Sequence, residues 1–192
     1  MRFALTAISA AILTIFSGRS MAQEAGVRFP MRFEADKSLV PLGFSSFNSG
    51  DRILSLSYSP DGAFIACAAG SRDPSIRIWD IKTQRQTQEL IGHDSRIRSI
   101  AIEPHGKYLA SASGDSTIRV WDIVTGRELH RLAGHRFDVV CLTYSKDGKT
   151  LFSGGADGTL RLWDVDNGSE IDSLIQGVGE ITSITLSPNG NP

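Results

Sequence analysis

The chain of 192 residues predicts an all-β fold, assembled from small antiparallel sheets of four strands in tandem. Three observations lead there. Trp79-Asp80, Trp121-Asp122 and Trp163-Asp164 recur 42 residues apart, twice. Gly92-His93 and Gly134-His135 share that spacing, as do Pro104-His105-Gly106, Lys146-Asp147-Gly148 and Pro188-Asn189-Gly190. Between these markers, short apolar or alternating runs are separated by glycine-bearing turns, and the chain holds 19 glycines. Self-similarity at a fixed period of this size marks a repeat architecture.

Each unit reads as four strands in order. The first is apolar or alternating: Ile53 to Tyr58, Ile97 to Ile102, Val139 to Tyr144 and Ile181 to Leu186. A Ser-Pro-Asp-Gly turn or a relative of it follows, with glycine at the position that needs positive φ. The second strand is then Tyr108 to Ser111 or Thr150 to Ser153. After a polar turn comes the third: Ile76 to Trp79, Ile118 to Trp121 and Leu160 to Trp163. A turn holding Thr125-Gly126 or Asn167-Gly168 leads to a more polar fourth strand, such as Arg127 to Leu132, which suits a sheet edge facing water. In the first unit the turn marker Pro60-Asp61-Gly62 lies 44 residues before the next, so two extra residues fall in the loop 70–74. One such sheet cannot bury both faces by itself. Tandem sheets of this period therefore stack radially, as a β-propeller.

These residues resemble the WD-repeat family. The second unit carries Leu90-Ile91-Gly92-His93, Pro104, Gly106, Leu109-Ala110-Ser111-Ala112-Ser113-Gly114-Asp115 and Thr117-Ile118-Arg119-Val120-Trp121-Asp122. The third repeats it with Gly134-His135 and Leu160-Arg161-Leu162-Trp163-Asp164, and the resemblance runs from about residue 50 to the end. It implies a partial WD-type β-propeller of about three full blades plus one strand. It also implies a structural hydrogen-bonded set in each blade: His93, Ser111, Asp115 and Trp121 in the second unit, and His135, Ser153, Asp157 and Trp163 in the third. Buried indole and imidazole nitrogens need such partners. The first unit keeps Asp73 and Trp79 but has no Gly-His pair, so its set is incomplete.

The domain reading follows. Residues 1–22 have the anatomy of a secretory signal peptide: Arg2, an uncharged stretch from Phe3 to Phe16, and small residues before a cut at Ala22. That implies export, to the periplasm or the cell exterior. Residues 23–46, with Val27-Arg28-Phe29, Met31-Arg32-Phe33 and two prolines, read as a linker that could add an edge strand. Residues 47–192 form the propeller segment, with units near 50–90, 91–132 and 133–174 and a partial one at 175–192. Three ways of finishing the ring stay open: a longer reading frame, association of two chains, or fold-back of residues 23–46. Cys67 and Cys141, each inside an apolar strand pattern, read as small buried thiols.

The chemistry of enzymes and ligands finds little here. Lys plus Arg is 20 and Asp plus Glu is 21, so no overall field favours nucleic acid or an anionic membrane. A Ser-His-Asp set repeated once per unit suits structure better than catalysis. The four histidines show no paired metal spacing, and Asp164 to Glu170 lacks the closing glutamate of a calcium loop. Neither a cofactor nor a metal is expected. Arg77, Arg119 and Arg161 beside the tryptophans read as stacked side chains and not as a basic stripe. The expectation is a non-catalytic scaffold that binds a protein or peptide through loops at one rim, with Arg72, Arg96, Arg136, Phe137 and Glu180 as contact candidates. The competing expectations are an accessory propeller of a larger enzyme and a fragment without function of its own.

Overall fold

The computed structural model describes residues 52–70, 74–175 and 179–187. They form three sheets of four antiparallel strands. Blade 1 holds β1 (Ile53–Tyr58), β2 (Phe64–Ala69), β3 (Ser75–Asp80) and β4 (Arg85–Ile91). Blade 2 holds β5 (Ile97–Ile102), β6 (Tyr108–Ser113), β7 (Thr117–Asp122) and β8 (Glu128–Ala133). Blade 3 holds β9 (Val139–Tyr144), β10 (Thr150–Gly155), β11 (Thr159–Asp164) and β12 (Ser169–Ile175). Sequence neighbours pair in every sheet, so each connection is a short hairpin.

The turns explain why the chain reverses where it does. Between β9 and β10, Ser145 Oγ donates to Asp147 at 2.6 Å, and the Lys149 amide donates to the same carboxylate at 3.1 Å. Gly148 then takes φ of 72°, a conformation that costs any L-residue with a Cβ. Ser59, Asp61 and Gly62 do the same between β1 and β2. Blade 2 departs from this chemistry. Glu103 and His105 take the serine and aspartate places and bond to each other.

A second regularity lies at the tryptophans. The pairing of third and fourth strands shifts register between Ile78 and Trp79, between Val120 and Trp121, and between Leu162 and Trp163. Such a bulge raises the local twist of the outer edge. It recurs at one place in all three blades, and each sheet is therefore twisted alike.

The two larger core clusters lie between blades. At the first seam, Ile76, Ile78 and Leu90 of blade 1 meet Ile97, Ile100, Leu109, Trp121 and Ile123 of blade 2. At the second, Ile118, Val120 and Leu132 meet Val139, Leu142, Tyr144, Leu151, Trp163 and Val165. Each blade thus shows a front face to the next and a back face to the previous one. The inner strands touch across both seams, β1 with β5 and β5 with β9. Ser55 Oγ accepts the Ile100 amide at 3.1 Å. Far out on the blades, Gln88 Nε2 donates to the Val124 carbonyl at 2.9 Å.

One element differs from the sequence expectation. Ile181 to Leu186 forms no strand. A first strand takes its ladder from the second strand of its own blade, and the described residues contain none for it. Its Ile181 amide donates instead to the Gly155 carbonyl of blade 3 at 3.1 Å. The expected signal peptide at 1–22, the linker at 23–46 and residues 188–192 lie outside the described residues.

Candidate functional site: the buried polar sets and the loop rim

The first candidate is the pair of polar sets inside blades 2 and 3. Trp121 on β7 donates through Nε1 to Ser111 Oγ on β6 at 2.9 Å. The Ser111 hydroxyl lies 2.8 Å from His93 Nε2, and His93 Nδ1 lies 2.7 Å from the Asp115 carboxylate. In blade 3, Trp163 donates to Ser153 at 2.8 Å, Ser153 lies 2.8 Å from His135 Nε2, and His135 Nδ1 lies 3.1 Å from Asp157. The indole can only donate and the carboxylate only accept. The chain of protons therefore runs from Trp through Ser and His to Asp, with the imidazole proton on Nδ1.

Electrostatics agree with that direction. Burial pushes the Asp157 carboxyl up, but bonds from the Arg136 amide, Thr159 and His135 outweigh it and hold the group well below the usual carboxylate range. Asp115 behaves alike: desolvation is opposed by His93, Thr117 and the Asp94 amide, and the net shift is downward. Burial lowers the His135 pKa despite its Asp157 partner, so the ring is held neutral.

Blade 1 fills the same place differently. Cys67 pairs with Arg77 in the sheet as Ser111 pairs with Arg119 and Ser153 with Arg161. A thiol therefore stands where the other blades have the serine. Cys67 and Trp79 pack together with Ile53 and Ile65, and burial pushes the thiol up to about 12. Cys67 and Cys141 are both free and buried. The two extra loop residues hid this equivalence, because counting 42 back from Ser111 lands on Ala69 and not on Cys67. Asp73 lies outside the described residues.

The repeated arginines are ion-pair partners on neighbouring strands. Arg119 meets Glu128 at 2.5 Å, Arg161 meets Glu170 at 2.7 Å and Arg77 meets Glu89 at 3.1 Å. They also explain the Gly-His pair. A Cβ on Gly134 would press on the Arg161 guanidinium, Glu170 and the Trp163 ring, so a side chain there forces these groups to shift.

The second candidate is the rim of loops that enter β5 and β9. Arg96 and Arg98 of blade 2 both donate to Asp138 of blade 3, at 2.8 and 3.0 Å. Beside Asp138, Phe137 is 62% exposed. The Arg136 amide is tied to Asp157 at 2.9 Å, which fixes the loop carrying Phe137. Glu180 is exposed, and its charge helps keep the Cys141 thiol protonated. The structure thus brings Arg96, Arg136 and Phe137 to one end of the blades. Arg72 lies outside the described residues.

The opposite end holds a cleft of about 290 Å3 between blades 2 and 3, lined by Glu103, His105, Lys107, Tyr108, Asp147 and Lys149 among others. The sequence reading passed over it. The signal was the exchange of Ser and Asp for Glu103 and His105 in one turn of the three. No group of three metal-ligating side chains occurs among the described residues. No helix among them is long and apolar enough to cross a membrane.

Trp-Asp-ended strands, Gly-His entries and interlocked four-stranded blades together define a repeat propeller. The model of the WD domain, G-beta repeat, matches residues 44–80, 84–122 and 126–164, more than half of the chain, which therefore belongs to the WD40 family. Among curated relatives, it is 54% identical over 44 residues to a Lissencephaly-1 homolog of Heterostelium pallidum, a match covering 23% of this chain and 11% of that one. It is 46% identical over 55 residues to the Nuclear distribution protein PAC1 of Mycosarcoma maydis, covering 29% and 12%. A Lissencephaly-1 homolog of Dictyostelium discoideum is 46% identical over 44 residues, covering 23% and 10%. The chain thus matches about a tenth of the length of these relatives.

These relatives correct one expectation. The expected periplasmic or extracellular location rests on the signal-peptide anatomy of residues 1–22: Arg2, the uncharged stretch from Phe3 to Phe16 and the small residues before Ala22. The repeats are instead kin to proteins named for nuclear distribution, a process inside the cell. An apolar run of that length is a weak physical signal beside three matched repeats, and a periplasmic or extracellular location does not stand against these relatives.

Proposed function

We propose that the chain is a non-catalytic protein-binding scaffold whose contacts lie on the rim carrying Arg96, Arg136, Phe137 and Glu180. Membership of the WD40 family supports a protein-binding scaffold in general. The observation that carries the finer reading is Phe137: a large apolar side chain, 62% exposed, on a loop held by backbone and ion-pair bonds. A rigid aromatic anchor loses little freedom on binding. Arg96, paired to Asp138 through one nitrogen, keeps further donors for a partner.

The case against catalysis rests on the Ser-His-Asp sets. Ser111 and Ser153 are fully buried, and each hydroxyl is already engaged by an indole and an imidazole. A nucleophile must reach its substrate, and these cannot.

The test places a photo-crosslinking side chain at position 137 and, as control, at Val124, which is also exposed but in a β-turn away from the Arg96–Asp138 rim. The reading expects one discrete protein adduct from 137 and none from 124. Adducts of equal yield from both positions, or a hydrolase activity abolished by Ser111→Ala, would contradict it.

A further inference from the structure

The two seams between the described blades share one frame and differ at one end. Register places Tyr144 of blade 3 where blade 2 has Ile102, since these pair with Leu151 and Leu109. It places Tyr108 of blade 2 where blade 1 has Phe64, since these pair with Asp122 and Asp80. In the turns, Glu103 and His105 stand for Ser59 and Asp61, and Lys107 stands for Ala63. The first seam thus ends in Phe64 and Ile102 packed on its core. The second ends in two tyrosines and a carboxylate, beside the cleft of about 290 Å3.

Two observations point from this cleft to a ligand. The first is Glu103. Its side chain is 6% exposed and meets the His105 imidazole and the Lys107 amide. No lysine or arginine among the described residues pairs with its carboxylate. The lysines of the cleft are engaged elsewhere. Lys107 Nζ lies 4.7 Å from the centre of the Tyr108 ring, near Asp122 and Asp166, and Lys149 lies beside Asp147. His105, which bonds to Glu103, is itself 70% exposed.

The second observation is Tyr144. It is 7% exposed, and its hydroxyl has no hydrogen-bond partner among the described residues. Burial pushes that hydroxyl up and the charge of Glu103 adds to the effect, so it stays protonated within electrostatic reach of Glu103. Buried hydroxyls are normally satisfied. A group that serves both residues must donate to Glu103, because a carboxylate only accepts, and it can donate to the Tyr144 oxygen as well. A guanidinium meets both needs. It is a planar fork of N–H donors, and its weak hydration makes it less costly to bring into a seam than an ammonium.

We propose that the cleft between blades 2 and 3 receives an arginine side chain of a protein partner, whose guanidinium pairs with Glu103 and Tyr144 once the exposed His105 turns out. The pair is charge-assisted. Asp147 and Asp166, exposed on the cleft walls, add negative charge for the basic segment. This contact rests on the protein-binding reading in general and not on the Phe137 rim, which lies at the other end of the blades.

Chemical-shift titration of the isotope-labelled 192-residue chain with N-acetyl-arginine methylamide tests this. The citrulline analogue is the uncharged control of the same shape. The proposal expects saturable shifts confined to amides of residues 103–108 and 147–149, and about tenfold weaker binding of the citrulline probe. Glu103→Gln lowers the affinity for the arginine probe about tenfold. Tyr144→Phe keeps the ring and lowers it about threefold, with no loss of thermal stability in the absence of probe. His105→Ala removes the competitor and raises the affinity. Shifts that do not saturate, equal binding of the two probes, or weaker binding by His105→Ala overturn the proposal. If Glu103→Gln fails to fold, Tyr144→Phe and the two probes decide it. Crosslinking at position 137 reads the rim alone, so either result can fail without the other.

Discussion

Blade 1 and blades 2 and 3 share one backbone and hold it by different means. In blades 2 and 3, an indole, a hydroxyl, an imidazole and a carboxylate are linked in one direction across the sheet. In blade 1 the hydroxyl place is taken by the Cys67 thiol, packed on Trp79 among apolar neighbours. The tryptophan and the strand register survive the exchange. The lesson is that the propeller blade asks for a filled slot beside the tryptophan. The polar chain is one way to fill it, and that way ties the entry loop to the sheet as well, because Asp115 also holds the Asp94 amide at 3.1 Å.

The two solutions should differ most when the central atom is removed. Ser111→Ala leaves Trp121 Nε1 and His93 Nε2 both buried without partners, at about 1–3 kcal/mol each. Cys67→Ala removes one small buried sulfur, and about 1 kcal/mol is expected for the apolar burial lost. Denaturant unfolding of the two variants measures the difference, and equal losses would break the contrast.

Glycine turns sharpen it next. Gly62 and Gly148 both adopt positive φ, so alanine costs about 1 kcal/mol or more at either. A Cβ at Gly62 meets nothing, but at Gly148 it would run into Glu103 across the second seam. Gly148→Ala should therefore lower the melting temperature more than Gly62→Ala. Equal shifts would mean that Glu103 moves aside freely.

The pH dependence is smaller and falls on blades 2 and 3. The folded pKa of His135 lies below its unfolded value, so the unfolded chain binds more protons as pH drops through about 6.5. Stability from this group is complete above that pH and declines below it. The lowered carboxyls Asp115 and Asp157 act in the same direction at lower pH, where the unfolded chain takes up protons first. Unfolding free energy should rise between pH 5 and pH 7, and His135→Gln should flatten that rise. A slope unchanged in the variant would remove the neutral imidazole from the account.

The smallest effect is chemical. Burial pushes Cys67 up to about 12 and Cys141 up to about 11, so neither thiol is a ready nucleophile. A thiol reagent at pH 8 should label both only through local opening, Cys67 before Cys141.

Much of this was legible in the sequence because repeats announce themselves several times over. Trp121 and Trp163, the Gly-His entries and the turn glycines keep one period, and each blade's strands follow from the apolar runs between them. The places of Ser111 and Ser153 followed from the same markers. Cys67 was not placed, because two extra residues in the loop 70–74 shift the count and only the sheet register aligns it. Glu103 was not noticed, because its meaning lies in Gly148 of the next blade, 45 residues on. Ile181 to Leu186 looks like a first strand by pattern, but a ladder needs a partner strand and not a pattern alone.

Amide hydrogen exchange, read blade by blade, tests the contrast most directly, since it reports the free energy of local opening. The account predicts that amides of β2 and β3 exchange before those of β6, β7, β10 and β11, and that Ser111→Ala brings blade 2 close to blade 1. Equal protection in all three blades, or blade 1 as the last to open, would contradict it.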